Sequence, residues 1–119
     1  MVMQDLRKKA EAWAKQRQAL HIDGRWVQTQ GASACIDPAT ERVIGEAPLA
    51  SAQDVDAAVE AARRSFKQGW GRLSRHARAQ SLHAAGRIIR ENAEELAAII
   101  ALENGKLFRE ALDDDMPDT

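Results

Sequence analysis

The sequence predicts an α/β chain, built as an N-terminal helix, a short hairpin and further strands, then three or four α-helices, and incomplete on its own. Three observations carry this reading. Residues 20–48 place turn signals at hairpin spacing between short apolar runs. Residues 51–112 repeat apolar side chains at intervals of three and four. Large apolar residues are scarce: 23 of the 119 residues are alanine, while Leu, Ile, Val and Phe together supply only another 23. Long helical stripes beside short strands with no sheet to join describe part of a larger body. No internal repeat and no linker-like stretch divides the chain in two.

Residues 1–19 give the first helix, its body over 3–19, with Leu6, Ala10 and Trp13 on one stripe among Lys, Arg and Gln. Asp23-Gly24 follows as a two-residue hairpin turn, since a type I′ turn needs positive φ at both central positions and this pair tolerates it. Its strands are expected near 20–22 and 25–28. Ser33 to Ile36 forms a third strand and runs into Asp37-Pro38-Ala39-Thr40, where Asp first and Pro second favour a type I turn. Arg42 to Ala47 is a further strand, closed by Pro48.

Ser51, with Asp54 three residues on, resembles a capping box. Val55, Ala58, Val59, Ala62 and Phe66 then form a stripe expected to be buried, with Glu60 and Arg64 as an i, i+4 pair on the other side. Gly69-Trp70-Gly71 breaks the helix, and Ser74 can cap the next, whose apolar face includes Leu82, Ala85 and Ile89. Asn92 with Glu95 suggests a new start and a break near residue 92, after which Leu96, Ile99 and Ile100 continue the stripe. Asn104-Gly105 supplies the stop. A last short helix around 107–112 dissolves into an acidic tail at 113–119.

Composition excludes several classes. No apolar run approaches the roughly 20 residues of a membrane helix. The opening MVMQDLRKKAEAW has no apolar stretch behind its charges, so no secretory signal is expected. The single cysteine, Cys35, cannot form an internal disulfide, and a reducing cytoplasm is the expected setting. Net charge is −1, but it is blocked: residues 61–90 carry eight basic groups and no acidic one, while residues 91–119 carry two basic and nine acidic.

No reacting centre stands out. Cys35 lies among Ser33, Ala34, Ile36 and Asp37 with no His close in sequence, and reads as a strand residue. His21 is isolated, and His76 and His83 share a helix face about 10 Å apart, too far to clamp one zinc ion, so no metal is expected. Gly69-Trp70-Gly71 lacks the third glycine of a dinucleotide fingerprint, having Ser74 there, and follows a helix instead of a strand. Gly105-Lys106 lacks a phosphate loop's other residues, with Ile100 and Leu107 in their places. Glu94, Glu95 and Asp113–Asp115 read as solvated acids. Arg72, Arg75, Arg78, Arg87 and Arg90 could meet a phosphate backbone, yet no docking motif accompanies them and Arg90 can pair with Glu94, so no nucleic acid partner is expected.

The order of the motifs resembles the N-terminal region of the NAD(P)-dependent aldehyde dehydrogenase superfamily. Ile22-Asp23-Gly24-Arg25-Trp26-Val27 is similar to the family's opening hairpin, and Asp37-Pro38-Ala39-Thr40 with Val43-Ile44-Gly45-Glu46 to its next turn and strand. Ala52 to Phe66 resembles its first long helix, with Gly69-Trp70 after it. Arg87-Ile88-Ile89, then Glu91 to Leu96, then Glu103-Asn104-Gly105-Lys106 are similar to the helices that follow. Leu107 departs from the proline the family often has there. The resemblance implies a parent that oxidises an aldehyde to a carboxylic acid through a cysteine thiolate, with hydride passing to NAD or NADP. The family's catalytic cysteine, general-base glutamate, oxyanion-hole asparagine and main cofactor contacts lie downstream of the matched stretch. It therefore assigns no catalytic, cofactor-binding or metal residue here, and implies that the chain alone is inactive and holds no cofactor. The implied partner is the remainder of the dehydrogenase, or a second copy through the apolar faces of Val59, Phe66 and Ile89. The alternative is a truncated, non-enzymatic module that docks on a full-length dehydrogenase or another protein.

Overall fold

In a computed structural model of the chain, residues 3–117 are described; the ends of the expected first helix and of the acidic tail (1–2 and 118–119) lie outside them. The elements are α1 (Met3–Ala14), β1 (Leu20–Ile22), β2 (Arg25–Val27), β3 (Gly31–Asp37), β4 (Arg42–Leu49), α2 (Ala52–Gln68), a 3-10 turn (Trp70–Arg72), α3 (Arg75–Glu91) and α4 (Ala93–Asn104). A single helical turn, α5 (Phe108–Glu110), then widens into a π-helical turn over Ala111–Asp115. The strands form two separate two-stranded ribbons, β1 with β2 and β3 with β4. β1 and β2 are antiparallel, with Leu20 opposite Val27 and Ile22 opposite Arg25 around Asp23 and Gly24, both at positive φ.

The chain forms two units interleaved in sequence, although its pattern showed no division. One gathers α1, Ala34–Glu46 and the chain from Ala84 onward; the other gathers Gln18–Ser33 and Ala47–His83. In the first, Leu6 and Ala10 of α1 pack on Ala98 and Leu102 of α4, flanked by Ala14, Ile44 and Phe108. The opposite side of α4 contributes Ala97, which packs with Ala111 and Met116. Trp13, expected on the α1 stripe, is 45% exposed, and Ala14 takes the inward place. α1 also ends at Ala14, short of residue 19. Gly45 closes over that end: a Cβ on Gly45 would lie only 2.0 Å from the Ala14 carbonyl oxygen. β4 runs through Pro48 instead of stopping at it. A strand in a two-stranded ribbon has a free edge, where the missing N–H breaks no ladder bond.

The second unit contains no buried residue among those described. The α2 stripe expected to be buried is open: Val55 is 51%, Val59 43% and Phe66 67% exposed. The reason is the lack of a partner surface, since the strands of this unit's hairpin are three residues long and carry an exposed Trp26. α2 is set by its ends. Ser51 Oγ accepts from the Asp54 N–H at 3.2 Å, and the Asp54 carboxylate accepts from the Ser51 N–H at 2.8 Å. At the other end the Gly69 N–H donates to the Ser65 carbonyl at 2.8 Å. The expected Glu60–Arg64 pair is replaced: Arg63 approaches Glu60 at 3.4 Å, and Arg64 reaches Asp23 of the hairpin turn at 2.8 Å.

α3 opens with Ser74 Oγ accepting from the Ala77 N–H at 3.1 Å, and its Leu82 is exposed. The helix breaks at Asn92 as expected, and the Asn92 side chain does not cap α4. Asn92 Nδ2 instead donates backward to the Ile88 carbonyl at 2.7 Å, and Glu95 pairs with Lys9 at 2.6 Å. Gly105 ends α4 in the left-handed conformation, φ 78°. The acidic segment does not dissolve at 112. It holds its π turn to Asp115, and Met116 beyond it is buried.

Candidate functional site

Asp37 is the buried ionisable side chain of the described residues, 2% exposed. It ends β3 and begins the Asp37-Pro38-Ala39-Thr40 turn, where an Asp side chain can reach the N–H two residues on. Oδ1 accepts from the Ala39 N–H at 2.8 Å; Oδ2 accepts from Thr40 Oγ1 at 3.0 Å and from Arg7 Nη2 at 2.9 Å. Its main-chain carbonyl accepts from the Glu41 N–H at 2.8 Å. The Ala39 N–H above all, with Thr40 and Arg7, holds the carboxyl below the usual carboxylate range. Arg7 is in turn held high by its hydrogen bond to Glu11, at 3.0 Å, and by Asp37. A general base needs a pKa near working pH and a proton within reach. Asp37 has neither property: it is a fixed anion that ties α1 to the turn.

Beside it lies a cleft of about 220 Å³, bounded among others by Leu6, Arg7, Asp37, Leu102, Lys106 and Phe108. Both of its cations are engaged. Lys106 Nζ donates to the two carboxylate oxygens of Asp115 at 2.9 and 2.7 Å, and this bond raises the Lys106 pKa. The cleft is a mostly apolar recess with closed ion pairs on its rim, and it presents no nucleophile.

The structure does not bring the sequence's other candidates together. Cys35 is a half-buried free thiol on β3. His21 stands edge-on to the Trp26 ring, centroids 4.9 Å apart, while His76 and His83 are exposed on α3. Among the described residues no three His, Cys, Asp or Glu side chains gather into a metal site. Arginines of the basic block serve local ends: Arg72 Nε donates to the Lys67 carbonyl at 3.0 Å, Arg78 Nη1 to the Leu73 carbonyl at 2.8 Å, and Arg87 pairs with Glu91 at 3.0 Å. No helix among the described residues is long and apolar enough to cross a membrane.

Gly69 and Gly71 stand where the chain packs against the end of α2. A Cβ on Gly71 would lie 2.1 Å from the Phe66 carbonyl oxygen, and one on Gly69 3.2 Å from that of Ser65. These glycines let the chain turn tightly against the end of α2. The sequence pattern missed Arg7–Asp37, Lys9–Glu95 and Lys106–Asp115. Only the first had a signal: the turn motif marks Asp37 as an acceptor, although its cation lies 30 residues away.

Fold and site together define part of an α/β protein whose ribbon and helices are tied by the Arg7–Asp37, Lys9–Glu95 and Lys106–Asp115 ion pairs. The model of the aldehyde dehydrogenase family matches residues 26–119, and the chain belongs to that family. Malonate-semialdehyde dehydrogenase of Bacillus cereus (strain B4264) is 40% identical over 93 residues, which cover 76% of this chain and 19% of that protein. Among solved structures, the NAD+ complex of an aldehyde dehydrogenase from Bacillus cereus superposes with a TM-score of 0.86 at 37% identity, over 92% of this chain and 23% of that one. Betaine aldehyde dehydrogenase from Staphylococcus aureus, in complex with NAD+, gives 0.85 at 28% identity, over 95% and 23%. The chain thus spans about a fifth of the relatives it matches, as a partial domain.

Proposed function

We propose that this chain is the N-terminal portion of an enzyme that oxidises an aldehyde to a carboxylic acid with NAD or NADP. In this reading the segment braces the cofactor domain and does no chemistry itself. One observation carries it: nearly all of the chain superposes on aldehyde dehydrogenases solved with NAD+, while occupying under a quarter of them. The open face of α2, with Val55, Val59 and Phe66, supports the reading, because such a face is what a helix shows when the body it packs on is missing. The setting is the reducing cytoplasm, where Cys35 stays a thiol.

The test is spectrophotometric. Purified chain, mixed with malonate semialdehyde or betaine aldehyde and NAD+ or NADP+, is expected to give no reduced nicotinamide. Co-expression with the complementary part of a related dehydrogenase is expected to restore aldehyde-dependent reduction. Sustained turnover by the pure chain alone would refute the bracing role.

A further inference from the structure

α4 is packed from two sides that share little. One side carries Ala98 and Leu102, covered by Leu6 and Ala10 of α1. The other carries Ala97, packed with Ala111 and Met116, and no residue of α1 belongs to that cluster. The hold of α1 is small. It has 12 residues, a length at which an isolated helix is marginal in water, and it buries two side chains, Leu6 and Ala10. The cleft of about 220 Å³ runs along its flank, between Leu6 and Arg7 on one side and Leu102 and Phe108 on the other, so the seam is not filled. Residues 15–19, which join α1 to β1, form neither helix nor strand. Departure of α1 strands no charge. Asp37 would lose Arg7 but keep the Ala39 N–H and Thr40 Oγ1, while Lys9 and Glu95, both about half exposed already, would pass to water.

We propose that α1 is a detachable strap, which opens as a unit while α4 stays folded, and that the groove beneath it is an exchangeable site for a basic amphipathic helix of which α1 is the resident occupant. The chemistry of recognition is that of the contacts α1 makes. Leu6, Ala10 and Ala14, four residues apart, form one stripe that packs with Ala98, Leu102, Ile44 and Phe108. At about 100° per residue Arg7 and Lys9 fall on opposite flanks of that stripe, where they meet Asp37 and Glu95. Carboxylates on both sides of an apolar groove select a helix with a base on each flank and disfavour one with an acid there. All of these contacts lie within one unit of the chain, and the inference does not rest on the enzymatic reading.

Amide hydrogen exchange of the full chain is expected to show α1 opening locally, with protection roughly ten- to a hundredfold below that of residues 97–102 of α4 and little changed by low denaturant. Exchange of the occupant is read with a fluorescein-labelled peptide of residues 3–17, followed by anisotropy. In the unaltered chain the tethered α1 competes at an effective concentration of about millimolar. L6D, which spoils the chain's own α1, should therefore bind the peptide roughly tenfold or more tightly than the unaltered chain does. A peptide carrying R7E, which sets an acid against Asp37, should lose that gain. If L6D also loses the protection of residues 97–102, the exchange measurement on the unaltered chain carries the test. α1 amides that exchange only with global unfolding, a folded L6D chain that ignores the peptide, or one that binds the R7E peptide equally well would each overturn the proposal.

Discussion

Gly105 makes a demand that can be measured in two parts. Its φ is 78°, and a methyl group added there would lie 2.7 Å from Pro38 Cγ and 3.5 Å from Pro38 Cβ. Holding alanine in the left-handed region costs about 1 kcal/mol. Pressing a methyl into a proline ring fixed to the backbone costs about 1–3 kcal/mol more. G105A should therefore lose about 2–4 kcal/mol. P38A keeps Cβ at its ordinary contact distance and removes Cγ, so P38A/G105A should recover the packing part and keep the backbone part. Urea titrations of the four proteins, followed by far-UV circular dichroism, are expected to give a coupling energy of about 1–3 kcal/mol. G24A is the control: Gly24 has φ 74° and nothing within 4 Å of the added Cβ, so only the backbone cost applies. If the Pro38 and Gly105 penalties simply add, their contact is not what fixes the end of α4, and the reasoning fails.

L102A, which empties a site packed by Leu6, Ala10 and Ala98, should cost about 2–5 kcal/mol in the same titration; a loss near zero would mean that the α1–α4 seam is not formed in solution. S51A removes the cap of α2 and should cost about 1 kcal/mol, read as faster amide exchange over the first turns of that helix, with α4 unaffected. Asp37 has a folded pKa below its ordinary value, so its contribution is complete above the carboxylate range and fades as pH falls through the depressed value; D37N should be destabilised at neutral pH and show a flatter acid limb. Lys106 has the opposite sign: raised above its ordinary 10.5, it contributes fully below that pH and loses the contribution as pH climbs through the raised value, a limb that K106M should lack.

What could be read from the sequence was mostly local. The Asp23-Gly24 turn, the Ser51 capping box, the breaks at Gly69 and Asn92 and the stop at Gly105 depend on residues within one turn of each other. Burial did not follow so directly. The stripe of α2 says which face seeks cover, but whether cover exists is a property of chain elsewhere, and Phe66 stands exposed. Charge pairing failed for the same reason: Arg64 has an acid one turn away, yet it bonds to Asp23, 41 residues distant. At Asn92 the break was legible, although the side chain bonds backward to Ile88 and does not cap the helix that follows. Of the Asp37 site, the turn was visible and the guanidinium was not, since nothing in a single sequence pairs residue 7 with residue 37.

The small size of the buried side chains has a thermal consequence. Among the described residues, four of the seven buried apolar side chains are alanine, and two of these, Ala97 and Ala111, have no exposed surface at all. The heat capacity of unfolding rises with the apolar surface that water gains, and alanine has little to expose. The stability curve of the chain should therefore be shallow, so that cooling weakens it little. Heating should melt it over a broad range with a small heat uptake.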